Sequence, residues 1–233
     1  MSKTLVILGA GTGLGPAIAR RFGREGFRVA LVARNRDRLA ALADGLVEEG
    51  IEAAAFTADL ARPAEIPALV GAIRDRFERI DVVSYSPLDL NGFTPAVDLT
   101  PAIQQRLLDL YFLTPMALVQ AVLAELRERG EGSILISQSV SATQPAPVLS
   151  GIGPAMAATR NYIQSLAAEI SLDGVHAATL QIGAMIKGSA VHAALLSGAI
   201  EPHPEFPDID PADIAETLWE MHAKRDASDR QLP

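Results

Sequence analysis

The glycines near the start of the chain have the spacing of a turn that binds phosphates. Gly9 would permit a tight turn, Gly13 would let a pyrophosphate approach the backbone, and Gly15 would let a helix pack closely on a strand. The free N–H groups and the positive dipole end of the following helix would face the phosphates. The predicted dinucleotide-binding loop consists of Gly9, Gly11, Thr12, Gly13, Leu14 and Gly15. The alternative is a tight strand-to-helix turn without a ligand.

Arg34 and Asn35 follow the second apolar run and bear on the choice of dinucleotide. An acidic residue at this point binds the ribose 2′-hydroxyl of NAD(H), whereas an arginine accommodates the 2′-phosphate of NADP(H). No carboxylate occurs here before Asp37. The sequence therefore favours NADP(H) over NAD(H). The alternative is that Arg34 and Arg36 are solvated charges at the start of a helix.

Short apolar runs alternate with longer amphipathic runs, and this alternation must position the loop. The short runs are rich in Val, Ile and Leu, which is typical of parallel strands buried on both faces. The predicted strands are Lys3–Leu8, Arg28–Ala33, Ile51–Thr57, Ile80–Ser86, Ser133–Gln138 and Val175–Ile182. The predicted helices are Gly13–Glu25, Arg36–Glu49, Pro63–Glu78, Pro101–Arg129 and Pro154–Leu172. This order predicts the α/β class, with a doubly wound parallel sheet of Rossmann type in a single domain over residues 1–233.

Two loops are expected to shape a pocket. The ligand of such a sheet lies beyond the carboxyl ends of its strands. The segments Gln144–Pro154 and Gly198–Asp210 are rich in proline and follow strands on that side. The alternative is that both are ordinary surface loops.

The composition excludes several classes of function. The chain has 233 residues and a formal net charge of −8, so it would repel nucleic acid. It has no cysteine, which excludes disulfides and thiol catalysis, and its four histidines lack metal-ligand spacing. We find no apolar run near the ~20 residues of a membrane span, and the apolar stretch at the start is too short for a signal peptide. The sequence therefore predicts a soluble cytoplasmic protein without nucleic-acid or membrane partners.

Further motifs, together with the spacing Gly-x-x-x-Gly-x-Gly, resemble the short-chain dehydrogenase/reductase family over most of the chain. The matching motifs are Asp59-Leu60, Ile80–Val83, Gly132–Leu135, Gly183 and Pro211–Ala215. The resemblance implies an NAD(P)-dependent oxidoreductase. It also implies cofactor contacts for Asp59, Leu60, Ser86 and Gly183.

The resemblance breaks at the catalytic positions. The family's Tyr-x-x-x-Lys pair falls on Ile152 and Met156, and its substrate-binding serine falls on Ser139. The residues four positions after the three tyrosines are Asp89, Pro115 and Leu166. The Tyr-x-x-x-Lys pattern therefore occurs nowhere in the chain. Ile152 cannot transfer a proton, and Met156 has no charge to lower the pKa of a phenol.

Other polar side chains are candidates for the missing chemistry. Tyr111 falls on the position of the family's supporting asparagine and Tyr85 lies near the end of the fourth predicted strand, so either could donate a proton. Lys187 and His192 lie in the segment after the sixth strand, which would cover a substrate. The predicted catalytic residues are Ser139, Tyr111 and Tyr85. The alternatives are that Ser139 is a plain turn serine, that Tyr111 is a core aromatic and that Tyr85 is part of a pocket wall. Likewise, Lys187 would be a solvated loop lysine and His192 a surface or core histidine.

Two functions stay open at this point. One is an oxidoreductase with an atypical site, acting on a small carbonyl or alcohol; the other is a non-catalytic NADP(H)-binding sensor or partner subunit. A third, with a vestigial loop and no cofactor, would leave the intact glycine spacing unexplained. The resemblance also implies a homo-oligomer paired through Leu107–Leu126 and Ala157–Ile170, although such apolar faces more often belong to a core than to an interface. The family's seventh strand would fall in Asp226–Pro233, which is polar and short, so we expect that strand to be weak or absent.

Overall fold

The computed structural model describes residues 2–198 and 207–233. Seven parallel strands form one sheet: β1 (Thr4–Leu8), β2 (Arg28–Ala33), β3 (Ala53–Thr57), β4 (Val82–Tyr85), β5 (Gly132–Ser139), β6 (Val175–Ile182) and β9 (Asp229–Leu232). Their order across the sheet is β3-β2-β1-β4-β5-β6-β9. A separate pair consists of β7 (Met185–Ile186) and β8 (Asp208–Ile209). The predicted doubly wound parallel sheet is confirmed.

Helices cover both faces of the sheet. They are α1 (Leu14–Gly23), α2 (Arg36–Glu48), α3 (Ile66–Phe77), α4 (Pro101–Leu108), α5 (Thr114–Arg129), α6 (Ile152–Glu169), α7 (Ala190–Leu196) and α8 (Pro211–Lys224). The apolar side chains of α1, α2 and α8 pack on one face, and those of α3, α5 and α6 pack on the other. In β1, Leu5 and Ile7 point to the first face while Val6 and Leu8 point to the second, so the strand is apolar throughout.

The strand order places a crevice above β1 and β4. The chain runs outward from β1 through β2 to β3, and then returns to start again at β4 on the other side. Loops at the carboxyl ends of β1 and β4 therefore lead in opposite directions. Ligands of open α/β sheets bind at this switch point.

The expectation of a weak or absent seventh strand was wrong. β9 pairs with β6 over four residues, from Thr179 opposite Asp229 to Ile182 opposite Leu232. The Asp229 carboxylate accepts hydrogen bonds from Thr179, Gln181 and Arg160, so polar side chains at this edge are satisfied. An edge strand held by its backbone and by such a network needs no apolar run.

The predicted helix over Pro101–Arg129 is interrupted by a π-helical turn at Asp109–Leu113, between α4 and α5. Pro115 has no N–H to donate to the carbonyl of Tyr111, which accepts a hydrogen bond from the Thr159 hydroxyl of α6 instead. The π turn is thus hydrogen-bonded to α6.

By length and composition alone, the segment Pro101–Arg129 is apolar enough to cross a membrane. This departs from the sequence expectation that no apolar run is long enough. In the fold, Leu118, Val119, Val122 and Leu126 of this segment are buried against the sheet. A core helix of a soluble protein meets the same criterion, so the segment is weak evidence for a membrane span.

His222 joins α8 to the sheet and should make the stability depend on pH. Its Nδ1 lies 2.8 Å from the hydroxyl oxygen of Ser133, and its ring packs against Phe22, Phe27 and Trp219. Burial is the largest cause that lowers the pKa of His222 from 6.5 to about 4. Between these values the unfolded chain binds a proton that the folded chain does not, so stability is lost as the pH falls.

We expect this residue to lower the free energy of unfolding by about 2–3 kcal/mol as the pH falls from 7 to 4. The variant His222→Gln keeps a polar side chain that does not titrate, so its stability should fall less over the same interval. Denaturant unfolding of both proteins across this interval measures the difference. An equal pH dependence in the two proteins would contradict the prediction.

Candidate cofactor and substrate site

A cavity of about 870 Å³ opens at the carboxyl ends of the strands, above the switch point. This volume is within the range of cavities that hold small molecules and cofactors. It extends from the ends of β2 and β3, across the glycine loop, to the ends of β5 and β6 and the start of α7. The loop Gln144–Pro154, predicted to shape a pocket, contributes Pro147, Val148, Leu149 and Ile152. The loop Gly198–Asp210 lies largely outside the described residues.

The glycine loop forms the floor of the cavity between β1 and α1. Gly9 has a φ of +93°, and a Cβ there would lie 2.5 Å from the nitrogen of Pro87. A Cβ on Gly11 would meet nothing closer than the Gly9 carbonyl oxygen at 3.8 Å, so its surface is open to the cavity. Gly13 precedes α1 without a capping side chain, which leaves the first N–H groups of this helix available to an anion.

Two further glycines of the predicted site have packing roles. A Cβ on Gly15 would lie 2.7 Å from the Cα of Ala10, and Gly15 does not line the cavity. Gly183 was predicted to contact the cofactor, but it does not line the cavity either. Its N–H donates to the carbonyl of Leu232, and a Cβ there would lie 3.1 Å from Pro233. The structure therefore corrects the placement of Gly183, which packs against β9.

Cationic side chains gather at the β2 end of the cavity. Arg34 is exposed at the end of β2, and Arg38 lies one helical turn further on; both line the cavity. Neither Arg34 nor Arg38 forms an ion pair with another described residue, whereas most of the other arginines do. Asn35 lies between them, and its side chain accepts a hydrogen bond from the backbone N–H of Arg38. This end of the cavity can hold a phosphate.

Asp59 and Leu60 form the neighbouring wall, at the end of β3. The Asp59 carboxylate accepts from the N–H of Ala61, and the Leu60 carbonyl accepts from the Thr114 hydroxyl at 2.7 Å. Both residues line the cavity, as does Ser86 after β4. These hydrogen bonds fix the shape of the wall before any ligand arrives.

Ser139, Ile152 and Met156 meet at the opposite end of the cavity. The Ser139 hydroxyl accepts a hydrogen bond from the N–H of Ser141, and no acceptor among the described residues takes its own hydrogen, which is therefore available to a ligand. The backbone N–H of Ser139 lies 3.3 Å from the sulfur of Met156. Ile152 is fully buried and lies one turn before Met156 on α6, and both line the cavity. Ser137 and Gln138 of β5 also line the cavity, so this end combines polar side chains with hydrocarbon and thioether surface.

Neither Tyr85 nor Tyr111 reaches the cavity, contrary to the sequence expectation. The Tyr85 hydroxyl donates to the Leu110 carbonyl beneath the cavity wall. The Tyr111 hydroxyl accepts from the N–H of Asp89 at 2.9 Å. Burial raises the pKa of both phenols further above the usual value of 10. Their position and their pKa therefore count against either one as the proton donor.

Lys187 and His192 also lie off the cavity wall. Lys187 is exposed in the loop after β7. His192 lies on α7, where its Nε2 is 3.8 Å from a carboxylate oxygen of Asp208. Neither lines the cavity. Lys187 is therefore a surface side chain, and His192 is a half-buried side chain outside the cavity wall.

Sequence reasoning missed three features of the cavity. Arg38 could have been found, since it lies four residues after Arg34, in the first turn of the predicted helix that follows. An ion pair between Asp89 and Arg106 lines the wall beyond β4. Val148 lines the mouth of the cavity and has a positive φ. The sequence gives no sign of this conformation, because valine rarely adopts it.

Comparison with known proteins shows where this architecture recurs. The family model of the short chain dehydrogenases matches residues 3–193. The chain is 27% identical over 185 residues to a short chain dehydrogenase of Pseudocercospora fijiensis, covering 78% of this chain and 60% of that protein. It is 25% identical over 226 residues to dehydrogenase/reductase SDR family member 7B of Danio rerio, covering 93% of this chain and 72% of that protein. The chain thus spans less than two thirds of the fungal relative.

Solved structures show the same fold. L-sorbose reductase from Gluconobacter frateurii, complexed with NADPH and L-sorbose, superposes with a TM-score of 0.85 at 23% identity, covering 99% of this chain and 95% of that chain. A variant of actinorhodin polyketide ketoreductase with NADPH superposes with a TM-score of 0.86 at 22% identity and with the same coverage. At these identities the likeness shows the fold alone.

Proposed function

Because the chain belongs to the short-chain dehydrogenase family, whose members are NAD(P)-dependent oxidoreductases, we propose that it binds NADP(H) and acts on a small apolar carbonyl or alcohol through an atypical site. The observation that carries the proposal is the pair Arg34 and Arg38 on the wall at the end of β2. Arginine is the side chain best suited to a phosphate because its planar fork can donate two parallel hydrogen bonds.

The residues along the whole length of the cavity support this cofactor. Arg34 and Arg38 would hold the 2′-phosphate, and Asp59 and Leu60 would flank the adenine. The open surface of Gly11 and the uncapped start of α1 would hold the pyrophosphate. The nicotinamide half of the dinucleotide would then lie over the ends of β4, β5 and β6, toward the end of the cavity that contains Ser139.

The residues at that end define the chemistry that the chain itself can supply. The bound cofactor supplies or accepts a hydride. Ser139 donates its free hydroxyl hydrogen to the substrate oxygen, and Ile152 and Met156 exclude water from one side. We propose that the proton reaches the substrate oxygen from water, since neither phenol lies on the cavity. Without a general acid, turnover should be about 10²- to 10⁴-fold slower than with one.

A second function follows from the same cavity. Ile152 and Met156 present hydrocarbon and thioether where the family's proton-transfer pair would fall. This favours a non-catalytic NADP(H)-binding protein that acts as a sensor or as a partner subunit. Saturable oxidation of NADPH by an apolar ketone, abolished by Ser139→Ala, would support the enzyme. NADPH binding without turnover on any ketone or aldehyde of a broad panel would support the binding protein.

Replacing Arg34 by alanine should weaken NADPH binding by about 10- to 100-fold, because a charge-assisted hydrogen bond contributes about 1.5–3 kcal/mol. NADH lacks the 2′-phosphate, so its affinity should change by less than about threefold. Calorimetric titration of the purified protein with each nucleotide measures both effects.

Arg36→Ala provides the matched control for this test. Arg36 is exposed two residues further on and does not line the cavity. Its removal should leave both affinities unchanged. If neither nucleotide binds the wild-type protein, or if Arg34→Ala weakens both equally, the proposed preference for NADP(H) is wrong.

A further inference from the structure

Val148 has a backbone conformation that a β-branched residue rarely adopts. Its φ is +58°, in the left-handed region that favours glycine and asparagine. Its side chain is also apolar and 43% exposed. Strained conformations persist where the surrounding structure fixes them, and they cluster at functional sites.

The surroundings fix Val148 from both sides. Its carbonyl accepts a hydrogen bond of 2.7 Å from the N–H of Thr94, in the loop after β4. The next residue, Leu149, forms a β-bridge with Thr94, and its carbonyl accepts from the N–H of Gly153 in α6. The loop before α6 is therefore attached both to α6 and to the loop opposite, and Val148 is held where it stands.

Val148 is held at the mouth of the cavity on the side of Ser139. Beside the ion pair of Asp89 and Arg106, this part of the wall is lined by apolar side chains: Leu88, Phe93, Pro147, Leu149, Ile152 and Met156. Leu88 is 42% exposed, so the mouth presents hydrocarbon to solvent on two sides. A ligand whose oxygen binds Ser139 would extend its remaining atoms along this wall.

We propose that Val148 determines substrate specificity by covering the alkyl part of an apolar carbonyl compound, such as a long-chain methyl ketone or the corresponding alcohol. The inference rests on the proposed function, since it places the substrate oxygen at Ser139. Val148 acts on specificity through contact with the substrate's hydrocarbon. Its strained backbone carries its side chain over the mouth.

The probes are 2-butanone, 2-hexanone and 2-octanone, which are titrated into the protein loaded with NADP⁺. Because NADP⁺ has no hydride to donate, a bound ketone is not turned over. Calorimetry first measures NADP⁺ alone and then each ketone. Ketone affinity should rise by about threefold to fourfold for each methylene group that becomes buried. The variant Val148→Gly should bind 2-octanone at least about fivefold more weakly and 2-butanone within about twofold of wild type.

The same variant should be more stable than wild type, because glycine adopts this φ without strain. Glu78→Gly is the matched control, because Glu78 also has a positive φ, of 67°, and does not line the cavity. It should raise the thermal midpoint in the same direction without changing any ketone affinity. Val148→Asn keeps the left-handed conformation and replaces the apolar surface, so it should also weaken 2-octanone binding.

The outcomes separate this inference from the proposed function. If the wild-type protein does not bind NADP⁺, the proposed function fails, and this inference fails with it before any ketone is added. If NADP⁺ binds normally but 2-octanone affinity is unchanged in both Val148 variants, this inference alone is overturned. Weaker 2-octanone binding in both Val148 variants, with Glu78→Gly unchanged, supports it.

Discussion

Replacing Ile152 by tyrosine and Met156 by lysine in one variant is expected to raise the turnover of an apolar ketone by about 10²- to 10⁴-fold. Both positions line the cavity, and they lie one turn apart on the same face of α6. The sulfur of Met156 lies 3.3 Å from the backbone nitrogen of Ser139, so a lysine there would start beside the serine proposed to bind the substrate. Its charge would lower the pKa of the new phenol toward neutral pH.

Each single variant is a control for the double variant. Ile152→Tyr alone provides a phenol without a cation, and Met156→Lys alone provides a cation without an acid, so each should gain much less. Ile152 packs close to Gly92, so the larger ring must extend into the cavity. NADPH oxidation measures turnover, and calorimetry shows that the nucleotide still binds. A double variant that is folded, binds NADPH and ketone, and turns over no faster would show that these positions do not correspond to the family's pair.

Replacing Gly9 by alanine is expected to lower the free energy of unfolding by about 3–5 kcal/mol, near the upper end of single-residue effects. The φ of +93° strains any residue with a Cβ, and the new methyl carbon would lie 2.5 Å from the nitrogen of Pro87. Because that neighbour is backbone, relief requires the loop after β4 to move. Denaturant unfolding measures the loss.

Gly50→Ala separates strain from contact. Gly50 has a φ of +83°, and a Cβ there would meet nothing within 4 Å. Its replacement should cost only about 1 kcal/mol, the backbone component of the effect. Equal losses at the two positions would mean that the approach of Pro87 does not constrain the glycine loop.

The central sheet could be predicted because its strands are apolar on both faces. Burial requires this pattern, and it is visible in the sequence as unbroken runs such as Val82–Val83 or Ile134–Ile136. The edge strand β9 escaped prediction for the opposite reason. Its stability comes from pairing with β6 and from the contacts of Asp229 with side chains on β6 and α6. Such a network is formed only after distant segments meet.

The same distinction applies to the cavity. The glycine loop and Arg34 are local motifs, and the structure places Gly11, Thr12, Gly13 and Arg34 on the wall. The positions of Tyr85 and Tyr111 depended on side-chain direction. Tyr85 is the last residue of β4 and directly precedes residues that line the cavity, but its side chain points into the core on the α6 side. Closeness in sequence to a cavity residue therefore does not place a side chain on the cavity wall. Alternation along a strand settles this only once the register of the sheet is known.

The contact between the glycine loop and the start of α7 has a consequence for how this sequence can change in evolution. A Cβ on Gly13 would lie 2.9 Å from the Cβ of Ser189, but also 3.0 Å from its Cα and 3.1 Å from its nitrogen. A smaller residue at position 189 would remove only the first of these contacts. The two positions therefore cannot compensate for one another as a co-varying pair. Selection should hold residue 13 as glycine because of its backbone neighbour. Residue 189 is constrained separately, because the Ser189 hydroxyl caps α7 by accepting a hydrogen bond from the N–H of His192.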